Sequence, residues 1–264
     1  MLITAKIITT FLTVIMLASV ARRLGPQWAG VLAGFPLGSA ITLYFIGYEQ
    51  GAEFAATGSK HTLAGLISCI FMAAMYWHTS QRWPQPRLIF LPILAAIGTF
   101  IGTSLLLQWL PSERWLNLSL VIIGIIISRN GLKHIPASWA EPEAKNVFQR
   151  PLIALVFRAS MASASVLGIT ALAHFLNPEQ AGLLAAFPVS FFPTLIVLQL
   201  SYGPGVVATA VKHYPEGLGA MVIYVLTASY TYTAYGLNMG TLLALGSAII
   251  YLAIYSALSR AKAE

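Results

Sequence analysis

The chain contains no aspartate, a single cysteine and few charges of either sign, with charged residues making up 9% of its 264 positions. Soluble domains usually carry about a quarter. A surface that faces water over most of its area is therefore excluded. With Cys69 alone, intrachain disulfides, thiolate metal clusters and paired-thiol redox chemistry are excluded as well. Metal-ligand spacing is missing among His61, His78, His134, His174 and His213. Neither a nucleophile–base pair nor a phosphate-binding glycine loop is found, so no enzyme and no cofactor is expected. Proteins that carry cations across membranes usually bury a carboxylate. Here the eight glutamates lie outside the apolar stretches or at their ends, which argues against a cation as cargo. Proton coupling is left resting on Glu49 or a histidine.

What the chain does have is apolar length. Hydrophobic residues make up 58%, and the mean hydropathy is +0.77. The apolar runs are continuous rather than alternating, which predicts membrane helices and excludes a β-barrel. A span needs roughly 20 apolar residues. The expected spans are about 2–21, 28–48, 61–79 and 88–110, then about 115–132, and finally about 151–173, 180–200, 217–236 and 239–259. The fold class is therefore an all-α polytopic bundle of about nine helices. The formal charge of +7 is read as basic residues gathered on one side of a membrane, not as a nucleic-acid surface.

The chain repeats itself. Ala29-Gly30-Val31-Leu32-Ala33-Gly34-Phe35-Pro36 returns as Ala181-Gly182-Leu183-Leu184-Ala185-Ala186-Phe187-Pro188. The same offset pairs Thr42 with Thr194, Gly51 with Gly203, Ala56-Thr57 with Ala208-Thr209, Lys60-His61 with Lys212-His213, and Lys6 with Arg158. Apolar composition alone does not readily produce Phe-Pro, Ala-Thr and Lys-His at one fixed spacing. Residues 1–110 form a first transmembrane repeat and 151–264 a second. Residues 111–150 join them with an extra helix and a cytoplasmic loop. The first segment resembles a secretory leader, but a removable leader would need no counterpart deeper in the chain. If the linker helix spans, the repeats are inverted, and most of the fifteen basic residues fall on one face. The positive-inside rule then sets the N-terminus outside and the C-terminus in the cytoplasm.

Proline removes an amide donor and clashes with the preceding turn, so a mid-membrane helix should break just before Pro36 and Pro188. Proline also suits the start of a new half-helix. Paired breaks in two halves point to a solute site, with Phe35, Phe187, Ser39 and Ser190 beside them. A plain proline kink with close glycine packing is the alternative. Arg158 lies about 10 Å into its span, and a buried arginine is functional by default unless it snorkels. Lys6 matches it by symmetry. Lys60-His61 and Lys212-His213 are expected to open the next spans, as gates or as interfacial caps. Tyr224, Tyr230, Tyr232 and Tyr235 would line a path or, more plainly, glue helices.

The Ala-Gly…Phe-Pro run, followed by Thr42, Gly51 and Ala56-Thr57, resembles the small GlpM-type bacterial membrane proteins over each repeat. That resemblance implies single units of about four helices, here fused in tandem, and a link to polysaccharide (alginate) production. The resulting expectation is a secondary transporter of the bacterial inner membrane. It would move a small anionic or zwitterionic solute held between the Phe-Pro breaks, with Arg158 and Lys6 supplying charge. Its partners would be the lipid bilayer, the solute and further copies of itself in a homo-oligomer, with no nucleic acid. The alternative is a non-transporting accessory protein of an envelope polysaccharide or lipid pathway, docking through Trp139, Glu141 and Glu143.

Overall fold

The computed structural model describes residues 1–24, 35–111, 113–135 and 146–261. Among these the fold is helical throughout, with nine helices in chain order. They are α1 (Leu2–Leu24), α2 (Leu37–Gln50), α3 (Ala52–Arg82), α4 (Phe90–Leu107) and α5 (Arg114–Leu132). After the linker come α6 (Pro151–Leu172), α7 (Pro178–Ala185), α8 (Phe191–Tyr202) and α9 (Pro204–Ala261). At Gly236 the backbone leaves helical geometry (φ 73°, ψ 175°), so α9 is two helical stretches in series. Five of the nine, α3, α4, α5, α6 and α9, are long and apolar enough to cross a membrane. Five such helices are consistent with a membrane protein. The linker helix is among the five, at 19 residues. Trp139, Glu141 and Glu143 lie outside the described residues, as do Ala29 to Gly34 ahead of the first Phe-Pro step.

Two helices begin well before the sequence places them. α3 starts at Ala52 and the second-half equivalent at Pro204, each directly after a glycine. Gly51 (φ 101°) and Gly203 (φ 82°) hold a backbone conformation that side-chain-bearing residues rarely adopt. Their amides close the preceding helices, Gly51 N–H on Gly47 O and Gly203 N–H on Gln199 O. Each glycine therefore ends one helix and starts the next with almost no connecting loop. The apolar signal misses those first turns because Glu53, Thr57, Lys60 and His61 dilute it.

α3 is the centre of the bundle and packs against α9, α4, α7, α5 and α2. In its most apolar window 61% of residues are buried, against 11% for α5, which lies at the rim. Small residues permit the tightest approach, where α3 crosses α7. A Cβ on Gly182 would collide with the Gly58 carbonyl, and one on Gly65 would collide with Ala186 and the Leu183 carbonyl. Thr62 Oγ1 donates to Gly182 O (2.8 Å) and Cys69 Sγ to Ala186 O (3.0 Å). Backbones in lipid-like surroundings gain most from such small-residue contacts, since no hydrophobic force drives helices together there.

Contacts fix the direction of several pairs. Gln81 near the end of α3 donates to Pro204 O at the start of α9. Arg114 at the start of α5 reaches Ser229 O (3.2 Å), whereas Lys212 bonds Ile135 O just past the end of α5. Asn117 of α5 donates to Lys60 O, and Gly124 sits beside Ile67 and Ile70. Hence α5 runs parallel to α3, and the first stretch of α9 runs antiparallel to both.

Candidate functional site

The two Phe-Pro steps are breaks, as proline chemistry predicts, and their backbones match bond for bond. Leu37 N–H donates to Phe35 O at 2.9 Å, and Val189 N–H to Phe187 O at 2.8 Å. Ala40 N–H bonds Pro36 O, and Phe192 N–H bonds Pro188 O. Thr42 Oγ1 returns to Gly38 O, and Thr194 Oγ1 to Ser190 O. Each member of a pair lies at the same offset from its counterpart. In the second half α7 precedes the break and α8 follows it.

The breaks touch each other. A Cβ on Gly38 would lie 3.0 Å from Val189 Cβ and 3.7 Å from Ser190 Oγ. A side chain at this position would press on Val189 more tightly than side chains ordinarily pack, so glycine eases the approach. The first turns of α2 and α8 therefore meet, bringing Pro36, Ser39, Pro188 and Ser190 into one region. Ser39 is 1% exposed, and its hydroxyl finds no hydrogen-bond partner among the described residues. Phe187 forms the aromatic wall of the second break, edge-on to Phe100 (5.2 Å) and Phe192 (5.5 Å). Phe35 packs half-buried against the same core.

Lys6 is elsewhere. It is 5% exposed and does not snorkel. Its ammonium bonds both oxygens of Glu49 (2.8 and 2.9 Å) and Thr170 Oγ1 (2.7 Å). An ammonium has three donors, and three acceptors surround this one. Glu49 lies thirteen residues beyond Pro36, about 20 Å by helical rise. The expected role of Lys6 beside the breaks is corrected accordingly, since its charge is neutralised inside the protein at the far end of α2. The cluster continues outward. His174 Nε2 stands 3.7 Å from Glu49 Oε2, and Gln50 Nε2 is 2.9 Å from His174 Nδ1. α1 and α2 thus meet α6 in a polar lock that joins the two repeats. On sequence Glu49 stands out only as a candidate for proton coupling, and Ser201 occupies the equivalent position in the second half. Thr170 carries no sequence signal, because its partner is 164 positions away.

Arg158 occupies the buried face of α6. Ala154 and Ala162, one turn to either side, are 4% and 0% exposed. Its Nε donates to Ala154 O (3.2 Å), which lays the side chain back toward the start of α6. There the end of α8 is held by Asn146 on Leu200 O (2.6 Å) and Gln149 on Ser201 O (3.4 Å). Lys6 and Arg158 therefore do not share a site. Thr170, which holds Lys6, is twelve residues from Arg158 on α6, about 18 Å by helical rise.

The expected gate pairs sit inside helices rather than opening them, because α3 and α9 start earlier. His61 is fully buried, its Nε2 3.9 Å from Glu179 Oε1. Lys60 lends its carbonyl to Asn117. Lys212 donates to Ile135 O (2.8 Å), just past the end of α5. His213 Nδ1 lies 3.3 Å from Glu216 Oε2. Of the four tyrosines, Tyr224 and Tyr232 are fully buried, while Tyr230 and Tyr235 are exposed. Tyr224 and Tyr232 share a hydrogen bond of 2.9 Å across α9, and Thr241 donates to Tyr232 (3.3 Å). Among the described residues no group of three His, Cys, Asp or Glu side chains is placed to hold a metal. No protein-family model, curated protein or solved structure matches the chain.

Proposed function

We propose that this protein is a secondary transporter of the bacterial inner membrane, moving a small anionic or zwitterionic solute past the paired Phe-Pro breaks. The observation that carries this reading is the contact of Gly38 with Val189 and Ser190, which brings the two broken helices together at their matching points. Broken helices present backbone amides that regular helices hide, and the amide ends of half-helices favour negative charge. Ser39 adds a buried hydroxyl with no protein acceptor among the described residues.

The helix directions support an inverted repeat. α3 and the first stretch of α9 occupy equivalent places in the two halves, and they run antiparallel. α1 and α6, also equivalent, meet through Lys6 near the start of one and Thr170 near the end of the other. Two units in opposite orientation around shared breaks are the usual frame for alternating access.

The test is solute uptake into proteoliposomes carrying the purified protein, using labelled carboxylated and zwitterionic solutes. Uptake above empty vesicles is expected for the wild type and should be lost in Arg158→Leu, with insertion and unfolding temperature retained. Normal uptake by that variant, or no protein-dependent uptake of any solute in the set, would overturn the reading.

A further inference from the structure

We infer that the equivalent histidines His61 and His213, each beside a glutamate, are proton-binding sites that couple transport to a proton gradient. The coupling rests on the transporter reading, whereas proton binding does not. His61 and His213 stand at the offset of the repeat. Both halves set a carboxylate near the ring, yet they take it from different places. His61 Nε2 lies 3.9 Å from Glu179 Oε1, which belongs to α7. His213 Nδ1 lies 3.3 Å from Glu216 Oε2, one turn along its own helix. At the repeat offset Glu179 is matched by Gln27 and Glu216 by Ala64, neither of them acidic. The acid beside the histidine therefore recurs without being a copy made by the repeat.

The two pairs sit on either side of the bundle's middle. α9 starts where α3 ends, at the bond from Gln81 to Pro204 O. α3 has 31 residues, about 46 Å by helical rise. Each histidine lies nine residues into its helix, about 13 Å from opposite ends of that seam. His61 is sealed from solvent, whereas the side chain of Glu179 is 41% exposed. The His61 ring is also hydrogen-bonded to the Thr57 carbonyl. Among the described residues the charged groups that bear on it are Glu179 of α7 and Lys60 of its own helix. Around the second pair, Tyr255 of α9 and Arg129 of α5 face Glu216. Burial opposes a charged imidazole and a neighbouring carboxylate favours it, the opposition that a reversible proton site needs. Glu179 takes a proton from water and passes it to the ring, which becomes imidazolium as the carboxylate is restored.

Both sites are tied to the second break. Thr62 and Tyr214 follow the two histidines and are themselves equivalent positions. Thr62 donates to Gly182 O (2.8 Å) in α7, which leads into Phe187 and Pro188. Tyr214 stacks at 4.0 Å on Phe191, the first residue of α8 on the far side of the break. Glu179 is in the first turn of α7. A Cβ on Gly182 would collide with the Gly58 carbonyl, so α7 has no slack against α3 in which a change at His61 could be lost. Glu49, the other candidate for proton coupling, is committed, because Lys6 bonds both of its oxygens.

Proton binding is tested on the full-length protein in detergent, by NMR titration of isotope-labelled histidine rings assigned through His61→Gln and His213→Gln. Both rings should titrate between about pH 5 and pH 8. Glu179→Gln should move the His61 titration by about one pH unit or more and leave that of His213 in place. A His61 ring that keeps one charge state across the range, or that ignores Glu179→Gln, would overturn the site whether or not the protein transports anything. Coupling is tested in proteoliposomes with labelled lactate and glycine, with and without an inward proton gradient. The gradient should raise wild-type uptake severalfold, and His61→Gln should lose that stimulation. Uptake indifferent to the gradient, or stimulation that survives in His61→Gln, would overturn the coupling and leave the transporter standing. Titrating rings without uptake of either solute would keep the proton sites and remove the coupling.

Discussion

At one end of α6 a buried lysine is gripped by a carboxylate, while toward the other end the repeat puts Arg158 at the lysine's position and Ser201 at the glutamate's. The helices around the two ends correspond, so the difference lies in side chains and not in scaffold. The lock joins α1 and α2 of the first repeat to α6 of the second through Lys6, Glu49, Gln50, Thr170 and His174. Toward the other end Asn146 and Gln149 donate to the last carbonyls of α8.

The comparison is broken most severely at Glu49. In Glu49→Ala a buried ammonium loses its counter-charge, and removal of one partner of such a pair costs about 3–5 kcal/mol. Equilibrium unfolding of the purified protein should show that loss, and added formate or acetate should recover part of it. A change below about 1 kcal/mol, the range of exposed pairs, would mean that the lock is not dry. Thr170→Val comes next. It removes one hydrogen bond to a charged group, about 1.5–3 kcal/mol, and the same unfolding series should rank it below Glu49→Ala. The smallest effect is expected at Ser201→Ala, within about 0.5 kcal/mol, because the hydroxyl has no hydrogen-bond partner among the described residues. A loss there as large as that of Thr170→Val would show that the two ends are alike after all.

Much of the architecture was legible because it depends on backbone chemistry. Pro36 and Pro188 cannot donate an amide, so each break is written in the chain at its own position. The apolar run from Arg114 to Leu132 announced the linker helix. Helix starts were less legible. Gly51 and Gly203 end one helix and admit the next, but the polar residues that follow conceal those first turns from a hydropathy count. The pairing of Lys6 with Glu49 was not legible at all. It spans 43 positions and is completed by Thr170 in the other repeat. Nothing local in the chain signals contacts made only by packing. The repeat gives no hint of it either, since Ser201 stands where Glu49 would recur. The asymmetry that masked the acid is the feature that now separates the two ends.

The central claim is two halves of opposite orientation around touching breaks, and its most direct test is sidedness at equivalent positions. Glu53 and Gly205, each in the first turn after a helix-ending glycine, would be replaced singly by cysteine in a Cys69→Ala background. Intact cells would then be treated with a membrane-impermeant thiol reagent. The account predicts labelling at 53 from outside, and at 205 only after the membrane is opened. Labelling of both positions from the same side would contradict it.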